Sequence, residues 1–381
     1  MRIAILTGGG DVAPLNAVIH AAIETCKNRG IELIGYLNGW DGLLNDRWIK
    51  LNDLKLNPSI GGTILKSSRI NLKKIDQGPD IVLNNLKKNR IDGFIVIGGE
   101  DTLSNALYLK DFPKILISKT IDNDVGKHNK GEFLNYFTLG YPTAAAKIAS
   151  FVSLAEGMRT TAWSHERILV VESMGMHAGW MAFASAQGHP DFIVIPEFPL
   201  NYNHLEERVI ERYKENKNVM IVISEGARWS NGQYISADEN EKDSFGHPRF
   251  RGTAEILVKK LKEGLKKHFD TRNINAVNPS YLYRSGTPVK LDSEMAVKMG
   301  MEAVNILADQ EQKTTSFLCS SLDHNEFGIE NYNFNELNDI EEFHRFVDRS
   351  IYDPEEYSIT TAGRDYLSKI VSPFPLLDYK I

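Results

Sequence analysis

The sequence has few cysteines and no excess of charge of one sign. Cys26 and Cys319 are the two cysteines among 381 residues, and they lie too far apart for a paired metal-binding motif. They cannot build a disulfide framework, so the composition favours a reducing, cytoplasmic environment. The 44 basic and 50 acidic residues give a net charge of −6. This balance provides no overall attraction to nucleic acid or to an anionic membrane, and a small-molecule substrate is expected.

Long hydrophobic runs are also absent. No stretch approaches the roughly 18 uninterrupted apolar residues of a membrane-spanning helix. The start, MRIAILTGGG, has too short an apolar run for a signal peptide, and Ile3–Leu6 is predicted to be a buried strand. With 42% hydrophobic residues, a chain of this length can form two domains with separate cores.

Short runs rich in β-branched residues recur, and most lead through glycine or a polar residue into an amphipathic segment. This alternation predicts an α/β fold with mainly parallel sheets covered by helices on both faces. The predicted strands are 2–7, 31–36, 93–97, 114–118, 167–172, 192–195 and 218–224. The predicted helices are 16–28, 101–109, 143–156, 178–187, 204–215, 253–269 and 293–307. The polar, aperiodic segment 229–247 is interpreted as a surface insertion or a mobile loop rather than a domain linker.

Glycines follow two of the predicted strands and precede helices. Gly8–Gly10 follow the first strand, and Gly98–Gly99 lead through a carboxylate pair into a helix. Such turns let backbone N–H groups approach a phosphate, because no Cβ intervenes. The first turn also spells G-x-G-x-x-A with Glu32 further on, which keeps a dinucleotide site as a rival. Asp11 argues against that rival, since a carboxylate in the turn repels a pyrophosphate unless a cation intervenes.

The segment Lys119–Asp124 directly follows a short apolar strand. In an extended backbone Thr120, Asp122 and Asp124 would share one face, because side chains alternate with period two. A neighbouring carboxylate raises the pKa of an aspartate and a lysine lowers it, so the pattern is compatible with a tuned general base. An Asp/Asn turn after a strand is the alternative interpretation.

Six groups of residues occur in one order that resembles the 6-phosphofructokinase family over roughly residues 1–310. The groups are Gly9–Asp11 with Asn16–Ala17, Gly61–Thr63 with Ser67–Arg69, Gly98–Thr102, Lys119–Asp124, Met174–Gly175 with His177–Trp180, and Pro196–Glu197. The resemblance implies two Rossmann-like α/β domains. It implies a donor domain of 1–135 with 288–325 and a sugar-phosphate domain of 136–287, and it leaves 326–381 as an extension of unknown role.

The resemblance also implies catalytic roles. Asp122 matches the general base that takes the proton of the sugar C1 hydroxyl, and Asp124 matches its supporting carboxylate. Arg69 matches an arginine that neutralises the transferring phosphoryl group, assisted by Lys119, and Glu100 matches a Mg²⁺-associated acid. The implied donor-binding residues are Gly9, Gly10, Gly99, Asp101, Thr102 and Lys119.

A phosphorylated ketose is the implied acceptor. Thr120 and Glu197 match sugar-binding positions, and Arg284 matches an arginine that holds the 6-phosphate. Arg167 matches an arginine that reaches the sugar phosphate of a neighbouring subunit, which implies a homodimer or homotetramer with a shared site. The other expected substrate contacts are Asp122, Met174, Gly175, Met176 and Tyr281, the last of which stands where many relatives have histidine.

Departures from the family pattern leave the substrates open. Pro14 replaces a glycine, Pro142 an aspartate and Met176 an arginine. Asp101 and Lys119 stand where ATP-dependent members typically carry glycine, so pyrophosphate is the expected donor. An ATP-dependent kinase, or a kinase for another sugar phosphate such as sedoheptulose 7-phosphate, is the first alternative. A catalytically weak sugar-phosphate-binding regulator is the second.

Overall fold

Two units make up the chain. The computed structural model describes residues 1–129, 132–242, 248–250, 252–309, 315–333 and 343–376. The first unit comprises Met1–Thr143 with Arg284–His344, and the second comprises Ala144–Tyr283 with Arg345–Ile381. In the described ranges no helix is long and apolar enough to cross a membrane.

The elements alternate between strands and helices along much of the chain. The strands are β1 Arg2–Thr7, β2 Glu32–Tyr36, β3 Trp48–Lys50, β4 Gly93–Gly98, β5 Lys114–Ser118, β6 Lys127–Asn129, β7 Glu132–Leu134, β8 Ile168–Ser173, β9 Phe192–Val194, β10 Val219–Ser224, β11 Ala237–Lys242, β12 Pro248–Phe250, β13 Ile274–Val277, β14 Thr315–Asp323, β15 Glu326–Asn333, β16 Tyr352–Asp353 and β17 Ser358–Ile359. The helices are α1 Leu15–Arg29, α2 Gly39–Leu44, α3 Gly78–Lys88, α4 Glu100–Ala106, α5 Tyr141–Val152, α6 Arg159–Ser164, α7 Trp180–Ala184, α8 Tyr202–Asn216, α9 Thr253–Leu265, α10 Lys290–Asp309 and α11 Thr361–Ile370, with short 3-10 turns at Leu72–Lys74, Ser185–Gly188 and Ser280–Tyr283.

A seven-stranded sheet forms the first unit, in the order β15-β14-β5-β4-β1-β2-β3. The strands from β14 to β2 run parallel, whereas β15 and β3 pair antiparallel at the edges. Ile3–Leu6 and Phe94–Ile97 are fully buried, as expected for parallel strands covered on both faces. Because β1, β4 and β5 are neighbours and run in one direction, the segments that follow them leave the sheet at the same edge.

A four-stranded parallel sheet, ordered β13-β8-β10-β9, forms the second unit. All residues of β8 and β10 are buried. On α9, Leu257, Leu261 and Leu265 recur every four residues and are fully buried in the core of this unit.

The predicted α/β class is confirmed, with local differences. The helix predicted at 143–156 ends at Val152, because the Ser153 hydroxyl accepts a hydrogen bond from Glu156 N and interrupts the helical pattern. The segment 229–247, interpreted as a surface insertion or a mobile loop, contains β11, which pairs antiparallel with β12. Residues 243–247 lie outside the described ranges.

The unit boundaries differ from the domains expected from the sequence, which were 1–135 with 288–325, 136–287 and 326–381. The first unit continues to Thr143, because Asp292 of α10 accepts hydrogen bonds from Gly140 N at 2.8 Å and from the Thr143 hydroxyl. The expected extension is divided between the two units: β15 pairs with β14, and the residues from Arg345 belong to the second unit. Of this extension, residues 334–342 and 377–381 lie outside the described ranges.

Candidate active site

The first glycine turn follows β1 and is closely packed. Gly9 has a left-handed backbone, with φ of 77°, and its N–H donates to Ser68 O at 3.0 Å. A Cβ on Gly10 would lie 2.6 Å from Arg284 Nη1. The left-handed backbone favours glycine at position 9, and the segment before Arg69 and the Arg284 guanidinium both lie against the turn.

The second glycine turn follows β4 and opens α4. A Cβ on Gly98 would lie 2.2 Å from the Thr102 Cβ, so only glycine leaves room for the buried Thr102. Glu100 and Asp101 occupy the first turn of α4, where the helix dipole favours negative charge. Gly99 precedes them in an extended conformation. The predicted donor-binding residues of this turn are thus grouped at one edge of the sheet.

The segment after β5 forms a turn, as the alternative interpretation of the sequence proposed, and not an extended strand. Asp122 N donates to Thr120 Oγ1 at 3.0 Å, and Asn123 has a left-handed φ of 54°. A contact from a later segment stabilises this conformation, because the Asn123 side chain accepts a hydrogen bond from Thr138 N at 3.0 Å, and Asn tolerates this backbone region. Thr138 Oγ1 in turn donates to Thr120 O at 2.6 Å.

The two aspartates of this turn lie close to each other. The Oδ1 atoms of Asp122 and Asp124 are both buried and have no hydrogen-bond partner among the described residues. Burial, and next the negative charge of Asp122, raise the pKa of Asp124 to about 7. The pair therefore offers buried carboxylate oxygens that can accept a proton or bind a cation.

Cationic side chains reach the first glycine turn from other segments. Lys119 is 2% exposed, its Nζ donates to Gly10 O, and a Cβ on Gly9 would lie 3.1 Å from that nitrogen. Burial, and next the Arg284 charge, lower the pKa of Lys119 to about 7, and the exposed Arg69 adds to this effect. Arg284 Nη1 lies 3.4 Å from Asp11 O. Arg284, predicted to hold the 6-phosphate, thus lies beside the turn predicted to bind the donor.

A histidine that the sequence analysis missed, His344, lies beside Glu100. His344 Nε2 is 3.2 Å from Glu100 Oε2, and its charge acts to lower the pKa of Asp124. It is distant in sequence from every motif, so no local pattern could have indicated it.

The predicted sugar-binding residues of the second unit occupy different places. Met174–Met176 follow β8, and Gly175, with φ of 127°, donates from its N–H to Glu225 Oε1 at 3.1 Å. Glu225 was missed by the sequence analysis, although it directly follows β10, the neighbour of β8 in the sheet, which is a signal that could have indicated it. Met176 is half-buried, and Tyr281 is 73% exposed.

Glu197 and Arg167 have partners inside the second unit. Glu197 Oε1 accepts hydrogen bonds from Gly179 N at 2.9 Å and Val347 N at 3.0 Å, whereas its buried Oε2 has no partner. Burial raises the pKa of Glu197 to about 7. Arg167 precedes β8 and donates to Thr161 Oγ1, so it lies at the opposite end of that strand from Met174–Met176.

Glu32, which suggested a dinucleotide site, and the two prolines that depart from the family pattern have local structural roles. Glu32 begins β2 beside Arg2, with Arg2 Nε 3.1 Å from Glu32 Oε2, at the end of the strands opposite Gly8–Gly10. Pro14 directly precedes α1 and accepts hydrogen bonds from the next turn, and Pro142 lies in the first turn of α5. Proline is tolerated at helix starts, where its missing N–H costs nothing.

Comparisons with known proteins agree with this geometry. The family model described as phosphofructokinase matches residues 2–307. A protein of Amycolatopsis mediterranei named pyrophosphate–fructose 6-phosphate 1-phosphotransferase is 36% identical over 315 residues, covering 81% of this chain and 88% of that protein. A Corynebacterium efficiens protein named ATP-dependent 6-phosphofructokinase is 36% identical over 311 residues, covering 80% and 85%. The crystal structure of a pyrophosphate-dependent phosphofructokinase from Nitrosospira multiformis, 20% identical, superposes with a TM-score of 0.81 over 100% of this chain and 94% of that one, which shows the fold.

Proposed function

Because the chain belongs to the phosphofructokinase family, we propose that it transfers a phosphoryl group from pyrophosphate to the C1 hydroxyl of fructose 6-phosphate, giving fructose 1,6-bisphosphate. The observation that carries this proposal is the buried Lys119 ammonium at the glycine turn Gly9–Gly10, together with Asp101 in the first turn of α4. In its protonated form, which a neighbouring anion favours, this lysine attracts the phosphates of a small donor to the turn. We expect a reversible reaction, since no nucleotide hydrolysis energy drives it.

Asp122 is the general base of this proposal. Its buried Oδ1 has no hydrogen-bond partner among the described residues and can take the proton of the C1 hydroxyl. Asp124 supports it, because two nearby carboxylates share negative charge and compete for one proton. Arg69 and Lys119 stabilise the charge that develops on the transferring phosphoryl group.

Glu100 and Asp124 fit a Mg²⁺ ion. The unpaired Oδ1 of Asp124 supports this assignment, because Mg²⁺ prefers oxygen ligands and needs only one or two protein carboxylates when substrate phosphates supply the others. The described residues contain no cluster of three or more His, Cys, Asp or Glu side chains that could hold a metal alone. When bound, Mg²⁺ would neutralise charge on the donor phosphates.

Asp101 favours pyrophosphate over a nucleotide as the donor. Its carboxylate would repel the α-phosphate of ATP, and two like charges about 4 Å apart repel by roughly 4 kcal/mol at an effective dielectric of 20. ATP dependence is the second candidate, because the Corynebacterium efficiens relative named ATP-dependent has the same 36% identity.

The test is a phosphoryl-transfer assay that crosses pyrophosphate, ATP and ADP with fructose 6-phosphate and sedoheptulose 7-phosphate. We expect turnover with pyrophosphate and no more than a trace with ATP. Asp101→Gly should admit ATP, and Asp101→Asn separates loss of charge from loss of a side chain. Asp53→Gly, in an exposed loop of the first unit, is the control. Robust turnover with ATP and none with pyrophosphate would refute the proposed donor.

The acceptor contacts proposed in the first unit are Thr120 and Arg284. Those proposed in the second unit are Arg167, Met174–Met176, Glu197 and Tyr281. Fructose 6-phosphate is the first choice and sedoheptulose 7-phosphate the next. The position of Arg167 at the far end of β8 supports the proposal that it serves a neighbouring subunit, in a homodimer or homotetramer. Both cysteines are buried free thiols, which suits a cytoplasmic location.

A further inference from the structure

His344, near the start of the C-terminal segment 343–376, lies beside the Glu100 carboxylate of the first unit. His344 Nε2 lies 3.2 Å from Glu100 Oε2, and each side chain is 32% exposed. The segment lies outside residues 2–307, the part of the chain that the family model matches. The imidazole beside Glu100 therefore comes from a part of the chain that carries none of the family motifs.

Backbone pairing fixes His344 beside the catalytic turn. Gly126 N donates to Phe343 O at 2.9 Å, and Val125 and His344 form an isolated antiparallel bridge. Val125 directly follows Asp124. Phe343 and His344 consequently run along the end of the turn that carries both proposed catalytic aspartates.

The neighbouring Phe343 anchors this arrangement. It is 2% exposed within the core of the first unit, and its ring lies 5.5 Å from that of Phe317 in an edge-to-face contact. Lys127 Nζ lies 5.6 Å from the centre of the same ring. A buried aromatic next to an active-site histidine limits the positions that the imidazole can take.

We propose that His344 is a positioning residue that holds the Glu100 carboxylate for the divalent cation. An Nε2–H donated to Oε2 leaves Oε1 free to bind the cation and fixes the plane of the carboxylate. Partners of this kind, behind a metal-binding carboxylate, commonly set metal affinity. The inference rests on the proposed function, since that function assigns Glu100 to the cation.

The experiment compares His344→Ala and His344→Gln in the full chain. Glutamine keeps an N–H donor, whereas alanine removes it. Binding of Mn²⁺ alone, without donor or acceptor, is followed by water proton relaxation, and the Mg²⁺ dependence of the rate is measured separately. His324→Ala is the matched control, because His324 forms another histidine–carboxylate pair in the same unit, 2.7 Å from the exposed Asp323.

We expect His344→Ala to weaken Mn²⁺ binding about tenfold and to raise the half-saturating Mg²⁺ concentration by a similar factor. Glutamine should restore most of the loss, and kcat at saturating Mg²⁺ should fall by less than about threefold. The His324→Ala control should match the unchanged chain. Combining His344→Ala with Glu100→Gln should give less than the sum of the two separate effects, because both act on one carboxylate.

Several outcomes would overturn the inference: no Mn²⁺ binding by the unchanged chain, unchanged or tighter binding by a folded His344→Ala variant, or additive effects in the double variant. An unchanged chain that binds Mn²⁺ in a His344-dependent way, yet transfers no phosphoryl group from any donor, would overturn the proposed function alone. Transfer activity with His344-independent Mn²⁺ affinity would overturn this inference alone.

Discussion

Two carboxylates, one in each unit and each with one buried oxygen, differ in their surroundings. Asp122 lies in a turn with a second carboxylate, and its charge reaches the cation of Lys119. Glu197 instead uses one oxygen to accept two backbone N–H groups, and no cation contributes to its pKa. A carboxylate beside a second carboxylate and a lysine is suited to proton transfer, whereas one that accepts two backbone N–H groups is suited to holding a fold together. Of the three predictions that follow, those at Asp122 and Glu197 test this difference.

The largest expected effect is at Asp122. Asp122→Asn removes the proposed base but keeps the size of the side chain, so we expect kcat to fall by about 10³-fold with little change in the KM for fructose 6-phosphate. The thermal unfolding midpoint should stay the same or rise slightly, because a like charge beside Asp124 is removed. Steady-state kinetics and thermal unfolding of the same preparation check both expectations.

Two further variants bracket this result. Asp124→Asn should reduce kcat less than Asp122→Asn, and Asp270→Asn, at an exposed pair with Arg272, should leave kcat unchanged. Near-normal turnover of Asp122→Asn would contradict the assignment of the base. Equal losses at Asp122 and Asp124 would contradict the division of roles between them.

The comparison also shows which features of the site follow from sequence. The turns at Gly8–Gly10 and Gly98–Gly99 could be predicted because a strand, a glycine turn and a helix follow one another locally, and neighbouring parallel strands bring such turns to one edge. For Lys119–Asp124 the sequence left an extended backbone and an Asp/Asn turn as alternatives. It could not decide between them, because the turn depends on Thr138, a partner brought by tertiary packing.

Long-range additions to the site were the least predictable. His344 reaches Glu100 through backbone pairing with Val125, and Val347 N reaches Glu197 across 150 positions of sequence. Neither contact leaves a local pattern. Glu197 was predicted to bind sugar from its motif alone, and its use by backbone amides becomes visible only when the C-terminal segment is in place. Its sugar contact stays a prediction.

Glu197 should affect stability in a pH-dependent way. Burial raises its pKa to about 7 from an ordinary 4.5, so the folded chain binds this proton more tightly than the unfolded chain does. Stability is therefore lost as the pH rises from 4.5 to 7, where folding requires a buried ionised group. Glu197→Gln carries no charge, and its amide oxygen can accept the same two hydrogen bonds. Relative to the unchanged chain, we expect the free energy of unfolding of the variant to increase by about 2 kcal/mol between about pH 5 and pH 8.

Thermal unfolding midpoints of both chains across this range measure the effect. The new amide can also shift the midpoint by an amount that does not depend on pH. The prediction therefore concerns how the difference between the two midpoints changes with pH. Glu215→Gln, an exposed glutamate in the same unit, should show no such slope. Parallel pH profiles would show that Glu197 is not held as described, and a large rise in the KM for fructose 6-phosphate in the variant would restore the sugar-binding role.

The smallest expected effect is at Met176, which stands where the family usually has arginine. The side chain is half-buried beside Gly175, in the loop that Glu225 holds. A hydrogen bond to a charged group is worth about 1.5 kcal/mol at the lower end of its range, or roughly tenfold in binding. Met176→Arg should therefore improve kcat/KM for fructose 6-phosphate about tenfold if methionine is a simple loss, whereas Met176→Leu, which adds no charge, should change little. Kinetics on fructose 6-phosphate and sedoheptulose 7-phosphate check this. Suppose that Met176→Arg loses activity on fructose 6-phosphate while the unchanged chain has normal activity on sedoheptulose 7-phosphate; Met176 would then select another acceptor. No change on either substrate would place position 176 away from the reacting groups.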